Sequence, residues 1–427
     1  MTDLVIRGGT VIDESGERRA DVVVSDGEIA AIGTDLDAPA GAIVIDAGGC
    51  VVAPGLVDLH THLRQPGKEE AETVESGSRA AALGGYTAVL AMPNTTPAID
   101  CAGIVREVQA LAGTALCDVE VSGAITVGRA GERLSPMAEM SALGVRIFTD
   151  DGTGVQDDLL MRRALEYASG LGVTLAQHCE VTALSAGTSM HEGEWSSRLG
   201  IPGQPSEAEE LMVMRDIALS RLTGGRIHFQ HLSTAGSVAM VQAAKAGGLA
   251  VTAEAAPHHF TLTDACCQTY DAVYKVHPPL RSEGDRLAIV AGLRSDTIDA
   301  IATDHAPHAR QDKERPFDEA APGMLGLEYA LSLALTELGL GMADVLARLS
   351  WQPARIAGIS GHHGGRLVEG RRANLCVIDP TATWTIDASG GASRSSNVPY
   401  AGRTVTGRVR HTVLAGEPVV LDGEAQR

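Results

Sequence analysis

Apolar positions follow two different regimes along the chain. At both ends they come in short runs rich in Val and Ile, broken every few residues by Gly, Asp or Ser. Residues 4–12, 20–32 and 42–52 read as strands of this kind, and so do 374–379, 405–414 and 418–421 after about residue 363. Helical periodicity is absent from both ends. In the middle, strand-like apolar runs alternate with Ala- and Leu-rich amphipathic stretches, the pattern of repeated βα units on a parallel sheet. Eight such strands are predicted: 55–62, 87–94, 119–126, 145–151, 173–178, 227–231, 250–255 and 300–304. The expected fold is therefore α/β. It comprises a (β/α)8 TIM-type barrel over residues 54–362 and a small β-sandwich domain built from both chain termini, 1–53 and 363–427. An open doubly wound sheet is the alternative, but no Gly-x-Gly-x-x-Gly turn follows the first strand.

The strand pattern gives the polar residues within it a meaning, because the C-terminal ends of barrel strands converge on one face. The first predicted strand ends in His60-Thr61-His62. Side chains two apart on a strand share a face, so both imidazoles point the same way. The fourth ends in Asp150-Asp151, the fifth in His178, the sixth in His231 and the eighth in Asp304. Four histidines and two carboxylates exceed what one tetrahedral zinc takes. They suit two metals sharing a bridging carboxylate and a bridging hydroxide. His228, three residues before His231, falls on the opposite strand face and reads as packing. His191, His362, His363 and His411 lie in predicted loops or the small domain and read as solvated. His258 and His259 suit a supporting role beside the metals and a structural one equally well.

Composition narrows the setting. The net charge of −20 argues against a nucleic-acid or anionic-membrane partner. The seven cysteines are scattered, without a paired metal-knuckle pattern, and fit reduced thiols in a cytoplasmic protein. Met1-Thr2-Asp3-Leu4 does not begin a basic region followed by an apolar one, so no signal peptide is expected, nor any membrane span.

Several blocks carry a family resemblance. Gly55-Leu56-Val57-Asp58-Leu59-His60-Thr61-His62-Leu63-Arg64-Gln65-Pro66-Gly67 resembles the opening signature of dihydroorotases in the amidohydrolase superfamily. Ala302-Thr303-Asp304-His305-Ala306-Pro307-His308 is similar to their second signature. Met92-Pro93-Asn94-Thr95, Phe148-Thr149-Asp150-Asp151-Gly152, His178-Cys179-Glu180 and His231-Leu232-Ser233-Thr234 resemble further blocks, so the likeness runs nearly end to end. It implies the barrel with its β-sandwich and two zinc ions per chain. His60, His62 and Asp304 would hold the first, His178 and His231 the second, with Asp151 and a hydroxide as bridges. Spacing to His178 in the family pattern favours Asp151 over Asp150.

The implied reaction is reversible cyclisation of N-carbamoyl-L-aspartate to L-dihydroorotate and water on the route to pyrimidine nucleotides, with Asp304 as general acid and base. Arg64, Asn94 and His308 would receive the substrate carboxylate, and the backbone of Pro322-Gly323 would touch the substrate, although the Phe usual before that Gly is missing. His277, in Tyr274-Lys275-Val276-His277-Pro278-Pro279-Leu280-Arg281, stands where the family normally has Asn. Many relatives bridge their metals with a carbamylated lysine. This chain has only four lysines and none between Lys68 and Lys245, which makes it similar to the bacterial type I dihydroorotases. A hydantoinase, dihydropyrimidinase or allantoinase acting on neutral rings is the alternative. A non-catalytic scaffold for aspartate transcarbamoylase is a third reading, of a different class. The expected partners are the small-molecule substrate, further copies of the chain, and an aspartate transcarbamoylase complex.

Overall fold

The computed structural model describes residues 3–426; Met1, Thr2 and Arg427, at the outer edges of the terminal segments, lie outside the described residues. Each of the eight predicted central stretches overlaps an observed strand. They are Leu56–Thr61, Tyr86–Ala91, Asp118–Val121, Ile147–Thr149, Thr174–Gln177, Ile227–Phe229, Val251–Ala255 and Ala300–Ile301. Neighbours pair in parallel and in chain order, the first three strands in one sheet and the next five in another. Two isolated parallel bridges lie beyond the sheet edges, Gly123 to Phe148 and Thr61 to His305. Asp58 on the first strand also accepts the Thr303 N–H at 2.7 Å and its hydroxyl at 2.6 Å, just past the eighth. Leu59, Leu90, Ile147, Ala176 and Ala300, from five different strands, meet in one buried cluster.

The helices between strands obey local rules. Asp158–Leu171 starts where the Asp157 carboxylate accepts the Leu160 N–H, a cap worth about 1 kcal/mol. Met161, Ala164, Leu165 and Ala168 form its buried stripe at helical spacing. It stops at Gly172, whose φ of 69° suits a residue without a Cβ.

The two ends of the chain fold onto each other. A seven-stranded sheet places Val51–Pro54 between Thr10–Asp13 and Leu375–Thr385, and Thr404–Leu414 follows. A four-stranded sheet holds Leu4–Arg7, Asp21–Ser25, Glu28–Gly33 and Ile43–Asp46. Each long N-terminal stretch predicted as one strand is two. The breaks fall at Gly8, Gly27 and Gly49, whose φ values of 72°, 85° and 77° turn the chain where a β-branched residue would be strained. At Gly8 and Gly49 the turn carries the chain from one sheet to the other, so Leu4, Ile6, Ile45, Val52, Leu375 and Val413 share one core.

Two histidines expected to be solvated are buried instead. His363 donates Nε2–H to Asp118 at 2.9 Å while its Nδ1 faces the Thr87 hydroxyl at 3.1 Å, which ties its loop to the central strands. His411 is buried, and His191 is partly covered beside Arg281; only His362 is exposed. All seven cysteines are unpaired. No helix among the described residues is long and apolar enough to cross a membrane.

Candidate metal centre

Six side chains from five strand ends converge on one buried point. His60 Nε2 lies 3.2 Å from Asp151 Oδ1, and His62 Nε2 lies 3.6 Å from Asp151 Oδ2. From the other side, His178 Nδ1 and His231 Nε2 each stand 3.6 Å from Asp151 Oδ1. Two groups with metal-ligand spacing result, His60–His62–Asp151 and Asp151–His178–His231, with Asp151 common to both. Asp304 Oδ1 joins the first, 3.2 Å from His62 Nε2 and 3.6 Å from His60 Nε2. Asp150 is elsewhere: it accepts the Ile125 and Thr126 N–H groups and the Thr126 hydroxyl.

The hydrogen bonds around the cluster dictate tautomers. His60 Nδ1 donates to Glu254 Oε1 at 2.9 Å, and His62 Nδ1 donates to Asn94 Oδ1 at 2.9 Å. A neutral imidazole with its proton on Nδ1 turns the Nε2 lone pair inward, the form in which histidine binds metal. His60 Nε2 is buried with no hydrogen-bond partner. Lone pairs facing carboxylate oxygens repel unless positive charge stands between them. The electrostatics carry the same demand. Burial opposes charge on His60, but Asp151, Glu254 and Asp304 raise it well above the usual histidine range. Burial likewise opposes charge on His178, yet Asp151 and Glu180 lift it to about 10. A set of four imidazoles and two carboxylates that attracts positive charge fits a metal-binding site.

One cavity borders this cluster. His62, Asp151, His178, His231 and Asp304 line it together with Arg64, Asn94, His277, His308, Pro322 and Gly323. Every residue expected at the site except the deeper His60 is on its wall. Arg64 is buried at φ 60°, and its Nε donates to the Pro307 carbonyl at 3.0 Å. His308 donates Nε2–H to the Pro322 carbonyl at 2.7 Å, and burial and Arg64 bring its pKa down to about 3, so it is neutral. The Asn94 amide is shared between His62 and Asp151. In this arrangement the charged donor on the cavity wall is Arg64.

The comparisons agree with the geometry. A family model described as dihydro-orotase-like matches residues 49–237. A dihydroorotase of Streptomyces coelicolor is 47% identical over 99% of this chain and 100% of its own length, and one of Mycobacterium leprae is 48% identical over 97% of each. The chain belongs to the dihydroorotase family. Among solved structures, an L-hydantoinase (dihydropyrimidinase) from Arthrobacter aurescens matches with a TM-score of 0.90 at 26% identity, over 100% of this chain and 98% of that one. A dihydropyrimidinase from Brevibacillus agri, at 24% identity and a TM-score of 0.87, over 100% of this chain and 96% of that one, shares the fold.

A family-wide ligand pattern leaves the supporting residues unassigned, and the structure supplies them. Glu254 bonds His60 with one oxygen and His228 with the other, each at 2.9 Å. Burial would raise Glu254, but the bonds to His228 and His60 bring it to about 2, so it is ionised. Hence His228 is more than packing: it is part of a His228–Glu254–His60 chain. Strand parity between His228 and His231 holds only for a straight strand through both. The strand ends at Phe229, and His231 sits beyond it at φ 30°. Glu254 had a detectable signal, a lone carboxylate in the run Val251-Thr252-Ala253-Glu254-Ala255. His258 takes the supporting position, its Nε2 4.0 Å from Asp304, while His259 is tied to the Pro278 carbonyl. Glu180 stands 3.6 Å from His178 Nε2 and supports that ring from the side away from Asp151.

Proposed function

We propose that the chain is a zinc-dependent dihydroorotase, interconverting N-carbamoyl-L-aspartate and L-dihydroorotate plus water in de novo pyrimidine synthesis. The observation that carries this is one cavity lined both by the buried Arg64 and by residues of the paired His/Asp groups. His60, His62 and Asp304 would hold one zinc and His178 and His231 the other, with Asp151 shared. When bound, zinc supplies Lewis acidity toward a carbonyl oxygen and lowers the pKa of water to about 7.

The chain's own residues do the rest. Arg64 pairs with the substrate carboxylate and sets the ring's orientation. Burial would raise Asp304, but His62, His60 and His231 hold it below the usual carboxylate range, so it is an ionised base. In ring opening it takes the proton of the attacking water as the C–O bond forms. It delivers that proton to the ring nitrogen as the C–N bond breaks. In closure the same transfers run backward. His277, half-buried with its Nε2 unpartnered and its pKa lowered by desolvation, offers the ring a neutral imidazole.

The reading extends to architecture and setting. The two bridges, the Asp58–Thr303 contact and the five-strand cluster support a closed (β/α)8 barrel over 54–362, with 1–53 and 363–427 as a composite β-sandwich. The unpaired cysteines support a cytoplasmic location, and assembly with copies of itself and with aspartate transcarbamoylase belongs to the same reading.

The likeness to a hydantoinase favours a second reading, hydrolysis of neutral cyclic ureides. Arg64 in the cavity and an aspartate in the shared position speak against it. The intact ligand set speaks against a purely scaffolding role. Metal analysis and assays with dihydroorotate and dihydrouracil on one sample decide: two zinc ions and strong preference for dihydroorotate are expected. Equal turnover of the two substrates returns the ureide reading.

Two substitutions probe the parts. Asp304→Asn is expected to slow turnover by roughly two to four orders of magnitude while retaining zinc, the usual range for a lost acid–base group. Near-normal turnover removes Asp304 from that role. Glu254→Gln is expected to weaken metal binding by roughly 10–100-fold, the range for a carboxylate behind a ligating histidine, read by competition with a chelator.

A further inference from the structure

We propose that Asn397 and Lys313 are positioning residues that hold the carboxylate-reading wall of the cavity in register, and so set specificity. This rests on the dihydroorotase reading and deepens it. The wall is made from two segments. One is the extension beyond the eighth central strand, residues 305–308; the other is the Pro322–Gly323 turn. Both border the cavity. They are in close contact: a Cβ on Gly323 would lie 2.7 Å from His308 Nε2 and 2.8 Å from the Ala306 carbonyl oxygen. The backbone joins the segments at one point, where the Ala306 N–H reaches the Met324 carbonyl at 2.8 Å, but neither is a strand or helix, so the setting of 306–308 against 322–323 depends on further bonds.

Asn397 fixes one against the other. Its Nδ2 donates to the Ala306 carbonyl at 2.9 Å and to the Gly323 carbonyl at 3.0 Å, while its Oδ1 accepts the His308 N–H at 3.3 Å. One buried amide thus uses both ends on the two halves of the wall. Lys313 acts from the other side. Its Nζ donates to the carbonyls of Ala321 at 2.9 Å, Gly323 at 3.2 Å and Lys275 at 3.4 Å. Gly323 is held at both poles, because its N–H goes to the Lys275 carbonyl at 2.9 Å. Burial and the neighbouring Lys275 bring Lys313 down to about 7, so its hold on the turn comes from three converging carbonyl acceptors and not from a fixed charge.

The consequence reaches the substrate through Arg64. Its Nε is anchored to the Pro307 carbonyl, between Ala306 and His308, and His308 is anchored to the Pro322 carbonyl. The direction of the guanidinium fork therefore depends on how 306–308 sit against 322–323. The hydrogen bonds of both side chains go to the backbone of 306–308, 321–323 and Lys275, and none goes to a side chain of the His/Asp cluster. A misplacement of about 1 Å in a positioning contact can cost on the order of 100-fold.

The test uses Lys313→Met, which keeps the stem of a half-buried side chain, and Asn397→Asp, which keeps the shape but loses the donors. For both, KM for dihydroorotate is expected to rise by about tenfold or more with kcat within about threefold. Zinc content and kcat/KM for dihydrouracil are expected to stay at wild-type values. Amide hydrogen exchange in peptides covering 320–326 is expected to speed up in both variants. Unchanged KM, or equal loss on both substrates, overturns the proposal. A wild-type protein without dihydroorotate turnover would fail the function reading alone; exchange at 320–326 then still decides, and unchanged exchange overturns the clasp.

Discussion

Replacing Arg64 with Met is expected to collapse turnover of dihydroorotate while leaving the already poor turnover of dihydrouracil nearly unchanged. The two rings differ only in the carboxylate. The His/Asp cluster meets the amide being cut, which they share, so it cannot distinguish them. Discrimination has to come from the cavity wall, and there the charged donor is Arg64, since His308 is neutral with its N–H committed to Pro322 and the Asn94 amide is engaged by His62 and Asp151. A buried guanidinium left without a counter-charge penalises a neutral substrate, and sites built to pair a polar group can discriminate by about 10⁴-fold. Met fills much of the same volume, removes the fork, and is no more strained than Arg at φ 60°, where any side chain is disfavoured. The measurement is kcat/KM for both substrates in both proteins. Equal loss on both would mean that Arg64 supports the fold or the metal cluster through its bond to Pro307.

Asp151→Ala is expected to remove metal and activity together. Among the described residues Asp151 is the one side chain within reach of all four clustered histidines, with Oδ1 facing His60, His178 and His231 and Oδ2 facing His62. Its loss takes a ligand from both groups at once and leaves four buried imidazoles without the carboxylate that balances positive charge among them. Zinc per chain, measured after extensive dialysis, should fall well below two, and dihydroorotate turnover should fall to background. Asp150→Ala is the informative control. That carboxylate caps Ile125 and Thr126, so its removal should lower thermal stability with zinc content maintained. Two zinc ions and normal turnover in Asp151→Ala would place the bridge elsewhere.

Much of this was legible in the chain because it is written locally. The period of the apolar positions gave eight strands, and the spacing of His60 and His62 put two imidazoles on one face. Asp151, His178, His231 and Asp304 each close a strand-like run, and all lie where the observed strands end. What failed did so where a local rule was carried past its range. Strand parity was applied to His228 through a backbone that has already turned at His231. A place in an apparent loop does not make a residue solvated: His363 is held by Asp118 on a central strand.

The sequence by itself determined the element types of the central region and their order, and marked the candidate ligands up to the choice between Asp150 and Asp151, because periodicity and residue chemistry act over a few neighbours. Only the tertiary structure decided which distant groups complete the site. Glu254 meets His60 because both lie on strands whose ends point into the same space, 194 positions apart in the chain. Asn397 meets Ala306 and Gly323 at separations of 91 and 74 residues, from a stretch with no motif of its own. Such pairings depend on how strands close and where terminal segments dock. Those are fixed by burial of the whole apolar core and not by any short pattern, so a carboxylate or an amide in the sequence carries no mark of the partner it will find.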